Sequence, residues 1–138
     1  MPRKPKAIVM DSWAAIAFLE DETSAQQVGD IIASANEQGI PLYMTAVNLG
    51  ETWYISARKW SDVDADQAVV EIIHAGIQTI SADWEISRSA AVYKSKHKMS
   101  YADCFSAALA KKFKADLVTG DPEFKQVENE INIVWLKT

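Results

Sequence analysis

Cysteine occurs once, at Cys104, so no disulfide within the chain can staple the fold and a packed core must hold it together. Histidine occurs twice, at His74 and His97, and neither stands at ligand spacing from the cysteine. The usual zinc patterns are therefore excluded, and both imidazoles read as structural or surface groups. Only five glycines and four prolines punctuate the 138 residues, and no linker, internal repeat or low-complexity segment divides them. No stretch approaches the roughly 20 apolar residues of a membrane span. The start MPRKPKAIVMD is basic like that of a secretory signal, but Asp11 cuts its apolar run far short of an h-region, and a reducing, cytoplasmic setting is expected. An excess of basic residues is also missing. The net charge is −5 and the pI about 5.0, which argues against gripping nucleic acid by bulk neutralisation of phosphates.

What is present suits one globular domain. At 49% hydrophobic and 24% charged residues the chain can bury a real core, and residues 1–138 read as a single unit with a flexible basic N-terminus over residues 1–6. Ala7 to Met10 is a short apolar run, followed by helix-compatible sequence from Trp13 to Leu19. Thr23 or Ser24 can cap a helix that Gly39 ends, and Pro41 to Met44 reads as a strand. Thr45 can cap a helix reaching about Trp60, and Ser61 with Asp64 opens another that Gly76 stops. Ile77 to Ile80 is a strand, Ser81 to Lys96 and Ser100 to Phe113 are helices, and Asp116 to Thr119 and Asn132 to Leu136 are strands. Short strands alternating with helices predict an α/β fold, with a twisted, mainly parallel sheet covered by helices on both faces.

Four acids carry the chemistry: Asp11 after the run AIVM, Glu51 in NLGETWY, Asp103 in SYADCFSAALA and Asp121 in LVTGDPEF. No His or Cys accompanies them, so if they meet they form an oxygen-only pocket suited to a hard divalent cation. Parallel sheets bind ligands beyond the carboxyl ends of their strands, where Asp11 and Asp121 stand. Each has a local alternative. Asp11 or Ser12 can simply cap the next helix, and Gly120-Asp121-Pro122 has turn chemistry. Glu51 falls on the helix arc of Val47, Tyr54, Ile55 and Ala57, where a charge needs a cation, a wet cleft or a basic partner such as Arg58. Asp103 fits the first turn of a helix capped by Ser100, while Ser106, Ala107 and Ala110 on its side leave room for a pocket.

Basic residues cluster despite the acidic total. Arg88, Lys94, Lys96, Lys98, Lys111, Lys112 and Lys114 fall in one stretch whose only other charge is Asp103. They form either a solvated helix face or a substrate-facing patch, with Lys94, Lys96, Lys98, Lys111 and Lys112 as the contacts. Trp53 and Trp60, at i and i+7, can share a helix side that faces a partner.

Taken in order, VMDSW, NLGETWY, SYADCFSAALA and ADLVTGDPEFKQV resemble the PIN domain, and most of all the VapC-type ribonuclease toxins of prokaryotic toxin–antitoxin pairs. Trp13 is bulkier than the small residue expected beside the first acid. The resemblance implies a three-layer PIN-like domain with Asp11, Glu51, Asp103 and Asp121 as the catalytic set. Asp11 and Asp103 would be the main ligands of Mg²⁺, for which Mn²⁺ can substitute, and Ser12 and Thr119 would hold carboxylates or waters. It further implies an RNA substrate, a cognate antitoxin and a homodimer. A haloacid-dehalogenase-like phosphatase would need a second Asp where Trp13 stands, and a phosphoacceptor receiver domain has no use for Glu51. A PIN-like module that binds RNA or protein without cutting is the alternative from another class.

Overall fold

The apolar runs form β1 (Ile8–Met10), β2 (Leu42–Thr45), β3 (Ile77–Ile80), β4 (Asp116–Thr119) and β5 (Ile133–Trp135), joined in one all-parallel sheet of order β3-β2-β1-β4-β5. The computed structural model describes residues 4–20 and 23–137. The segment expected to be a flexible N-terminus lies outside the described residues for residues 1–3; beyond it, Lys4 donates from Nζ to the Gln38 carbonyl.

Between the strands run α1 (Ser12–Leu19), α2 (Ala25–Gln38), α3 (Ala46–Lys59), α4 (Asp62–His74), α5 (Trp84–Lys96) and α6 (Tyr101–Phe113). A 3-10 turn over Pro122–Val127 follows β4. Strand side chains alternate between two cores. Val9 and Leu117 face Ile86, Ala90, Ala107 and Phe124, while Ile8, Met10 and Val118 face Ala14, Val28, Ile32 and Ile72. One core thus lies under α5 and α6 and the other under α1, α2 and α4, which gives the three layers.

Local capping explains most helix starts. The side chains of Thr45, Ser61 and Ser100 accept from the N–H groups of Asn48, Asp64 and Asp103 at 3.0, 3.0 and 3.2 Å. Gly39 closes α2 in the left-handed conformation, at φ 69°, where a side chain would be strained. Two starts differ from the sequence expectation. Ser24 makes no side-chain cap; its hydroxyl instead donates to the Lys137 carbonyl and ties α2 to the chain end. Helix α5 begins at Trp84 rather than Ser81, because Asp83 is the residue that caps it, accepting from Ile86 N–H at 3.0 Å as Ile86 enters the core.

The strand order positions the site. The chain runs from β1 outward to β2 and β3, then crosses back to place β4 on the other side of β1, with Met10 in register with Val118. The carboxyl ends of β1 and β4 therefore adjoin at a topological switch point, where a crevice opens.

Candidate functional site

Register puts Asp11 beside Thr119. Asp11 is fully buried; one oxygen accepts from Ala14 N–H at 2.9 Å, capping α1, and the other accepts from the Thr119 hydroxyl at 2.5 Å. The same hydroxyl accepts from Asp121 N–H at 3.0 Å, so Thr119 fixes both strand-end acids. Asp121 in turn accepts from Glu123 N–H at 2.9 Å and starts the 3-10 turn. Capping and site-building are thus one arrangement at Asp11 and Asp121, not competing ones.

Side chains from four elements meet above this frame. Glu51 on α3, Asp103 on α6, and Asp121 and Glu123 after β4 line a hollow of about 400 Å³ with Ser12, Ser100, Trp13, Ile16 and Ile55. Asp103, Asp121 and Glu123 each bring a carboxylate oxygen within 4.8 Å of the others. Glu123 also accepts from Ser100 N–H at 3.1 Å, which docks the 3-10 turn on the start of α6. Ser12 donates to Glu51. Sequence reasoning missed Glu123; its signal was an acid two residues beyond Asp121, but only the docking of the turn against Ser100 brings it to Asp103.

Burial and mutual repulsion raise the acids' proton affinity. Asp11 is pushed up to about 7, first by burial and then by Asp121 and Glu51, against the lowering effect of the Thr119 and Ala14 hydrogen bonds. Asp103 is pushed up to about 8 by burial, then by the charge of Asp121 and a hydrogen bond with it, then by Asp11 and Glu123. The protonated form of Asp103 is therefore favoured more than in an ordinary carboxyl when nothing else offsets the charge. With oxygen donors only, and no imidazole or thiol among the described residues that line the hollow, the set fits a hard divalent cation.

Several expectations are corrected. Arg58 does not pair with Glu51; its guanidinium lies over the Tyr54 ring at 5.0 Å, and Ser12 is the partner of Glu51. The buried face of α3 is Asn48, Thr52 and Ser56, while Tyr54 is exposed. On that face Asn48 donates from Nδ2 to the Ala102 carbonyl at 2.9 Å and binds α3 to the start of α6. Ser106, Ala107 and Ala110 do not line the acidic hollow; they are buried and let α6 pack closely on the sheet. Trp53 and Trp60 do not share a free face: Trp53 donates to Asp66 on α4 at 2.9 Å, and Trp60 is exposed.

None of the five expected RNA-contacting lysines lines the acidic hollow. Lys94 donates to the Met99 carbonyl at 2.6 Å, and Lys112 pairs with Glu85 at 3.3 Å. The backbone of Lys98 is held by Gln126, while Lys96 and Lys111 line a separate hollow. The bulk of Trp13 has its own explanation. A Cβ at Gly120 would stand 2.4 Å from the Trp13 ring, so the indole is seated against a position that only glycine leaves open.

Fold and site together define a doubly covered parallel α/β domain with an oxygen-only acidic hollow at the switch point. The family model of the PIN domain matches residues 8–130, and the chain belongs to that family. Among similar solved structures is VapC20 of Mycobacterium tuberculosis, a sarcin-ricin loop cleaving toxin, with TM-score 0.73 and 17% identity over 87% of this chain and 94% of that one. VapBC2 of Rickettsia felis, bound to a DNA fragment from its promoter, has TM-score 0.73 and 13% identity over 95% and 99% of the two chains. VapBC-5 of Mycobacterium tuberculosis, a member of the VapBC family of toxin–antitoxin systems, has TM-score 0.57 and 19% identity over 97% and 100%. At these identities the likeness is one of fold. No curated protein matches the sequence.

Proposed function

We propose that the protein is a divalent-cation-dependent endoribonuclease that hydrolyses RNA phosphodiester bonds, and the toxin of a VapBC-type pair. The observation that carries this reading is the meeting of Asp103, Asp121 and Glu123 within 4.8 Å, in a hollow shared with Glu51. Asp103, with Asp121 and Glu123, would hold Mg²⁺ or Mn²⁺. Asp11, fully buried and outside that group, would be a further ligand through the second lone pair on either oxygen. A bound ion would supply positive charge against the negative charge building on the phosphoryl oxygens and would lower the pKa of a bound water. The chain's own part is orientation. Ser12 fixes one oxygen of Glu51, which leaves the other to take a hydrogen bond from an attacking water, and Thr119 keeps Asp11 and Asp121 in register.

Purified protein is expected to cut a susceptible structured RNA with Mg²⁺ or Mn²⁺ and to stop with chelator. Asp11→Asn, Glu51→Gln, Asp103→Asn and Asp121→Asn should each lose roughly tenfold to a hundredfold or more in rate, the range for removing a group that supports a metal. A folded Asp103→Asn protein cutting at the wild-type rate would sink the assignment. Binding of RNA without cleavage in any divalent cation would favour the non-cleaving module instead.

The fold shared with VapBC toxins and the acidic hollow also support an antitoxin partner, whose Arg or Lys side chain would take the cation's place in the hollow. Affinity for the neighbouring gene's product should fall in Glu51→Gln and in Asp121→Asn. Unchanged affinity across all four acid variants would put the contact elsewhere.

A further inference from the structure

A second hollow, of about 280 Å³, lies between α5 and α6 and is basic in a chain of net charge −5. Arg88, Lys96, His97 and Lys111 line it, and Glu130 is the one acid on its wall among the described residues. Tyr93 lines it too. This residue is 6% exposed, and its hydroxyl is buried with no hydrogen-bond partner among the described residues. Buried phenols ordinarily find a partner, and an orphan donor carries a desolvation cost that a ligand with acceptor oxygens would remove. Burial, and after it the charge of Glu130 and Cys104, pushes this hydroxyl up to about 12, so it keeps its proton as a donor. Lys111 Nζ stands 5.8 Å above the same ring and 3.5 Å from Glu130 Oε1. With side chains 63% and 43% exposed, that ion pair is weak, and an incoming anion displaces Glu130 from Lys111 at little cost.

We propose that this hollow binds a phosphoryl group, with Arg88, Lys96 and Lys111 supplying charge and the Tyr93 hydroxyl a hydrogen bond. Guanidinium and ammonium donors beside a neutral hydroxyl match a tetrahedral dianion or a phosphodiester oxygen pair. Helix α6 joins the two hollows: Asp103 is in its first turn and Lys111 in its last. The separation is about 12 Å along the axis and about 80° around it. A strand cut at the acidic hollow can therefore lodge a second phosphate here, a few nucleotides from the scissile one. That source rests on the ribonuclease reading; a free phosphate does not.

Amide spectra of the full chain, titrated separately with inorganic phosphate and with a short 2′-O-methyl RNA that resists cleavage, read occupancy directly. Resonances across residues 88–97 and at Lys111 should shift and saturate with at least one probe. Tyr93→Phe removes only the hydroxyl and should weaken phosphate binding roughly tenfold without changing its salt dependence. Glu130→Gln should tighten binding. If an RNA phosphate is the occupant, Arg88→Gln should flatten the slope of log affinity against log salt by about 0.7. If that slope is unchanged while inorganic phosphate still saturates the site, the occupant is a free phosphate and the site stands. No saturable shift with either probe would overturn the proposal, as would wild-type binding of both probes by Tyr93→Phe and Arg88→Gln. The two readings fail separately: Asp103→Asn should bind inorganic phosphate here as wild type does, whether or not the wild-type protein cleaves RNA.

Discussion

Asp103 and Asp11 hold their protons more tightly than ordinary carboxyls, and this makes their chemistry pH-dependent in a direction that can be worked out. A cation competes with the proton for the same oxygens. With Asp11 at about 7 and Asp103 at about 8, Mg²⁺ affinity should rise with pH between about 6 and 8 and level off above, and binding should release protons. Calorimetry in two buffers of different ionisation enthalpy counts those protons; none released at pH 7 would contradict the proposed ligand set. Stability without metal follows the opposite sign. Both groups are raised from 3.8, so the native state binds more protons than the unfolded chain between about pH 4 and about pH 8. Their stabilising contribution is complete below about pH 4 and is lost as pH rises through 7 and 8. Asp103→Asn should remove part of that decline in chelator-treated melts.

At the scale of elements, the turn after β4 and the start of α1 are built for each other. Gly120 leaves the space that the Trp13 ring fills, and a Cβ there would sit 2.4 Å from the indole. Overpacking of this kind costs about 1–3 kcal/mol, and the strain falls on the turn that carries Asp121 and on the helix that Asp11 caps. Gly120→Ala should therefore lower stability by that order and reduce cleavage as well. Adding Trp13→Ala should relieve the clash, giving a double variant whose further loss is smaller than the sum of the two singles. Wild-type stability and activity in Gly120→Ala would show that the ring moves freely. The 3-10 turn has a matching role: Glu123 accepts from Ser100 N–H, while Gln126 accepts from Lys98 N–H at 3.0 Å and donates to its carbonyl at 3.1 Å. The α5–α6 loop is thus clamped before α6 presents Asp103.

For the molecule as a whole, the acidic hollow concentrates like charge, and folding must hold it together. Two full charges 5 Å apart repel by about 3 kcal/mol at an effective dielectric near 20, and protonation of Asp103 relieves part of that. Asp121→Asn keeps an oxygen to accept from Glu123 N–H while removing one charge. In chelator it should be at least as stable as wild type. A cation at a hundred times its dissociation constant should raise wild-type stability by about 2.7 kcal/mol, and this variant by less. Thermal melts with and without metal decide it: a large loss for Asp121→Asn in chelator would make Asp121 chiefly a structural cap.

The sequence by itself determined the elements, because their signals are short-range. Alternating apolar runs marked the strands, Thr45, Ser61 and Ser100 marked helix starts within three residues of the N–H groups they cap, and Gly39 marked a stop. It also placed Asp11 and Asp121 at strand ends. Tertiary structure alone decided what those ends meet. Asp11 and Thr119, 108 residues apart, share a hydrogen bond only because β4 returns to the side of β1. Glu123 reaches Asp103 only because its turn docks on Ser100, Glu51 has Ser12 rather than Arg58 as partner, and Tyr93 and Lys111 enclose a hollow only because α5 packs on α6. Caps and periodicity act over a few residues and are written locally, whereas a site assembled from distant segments depends on which strands and helices become neighbours.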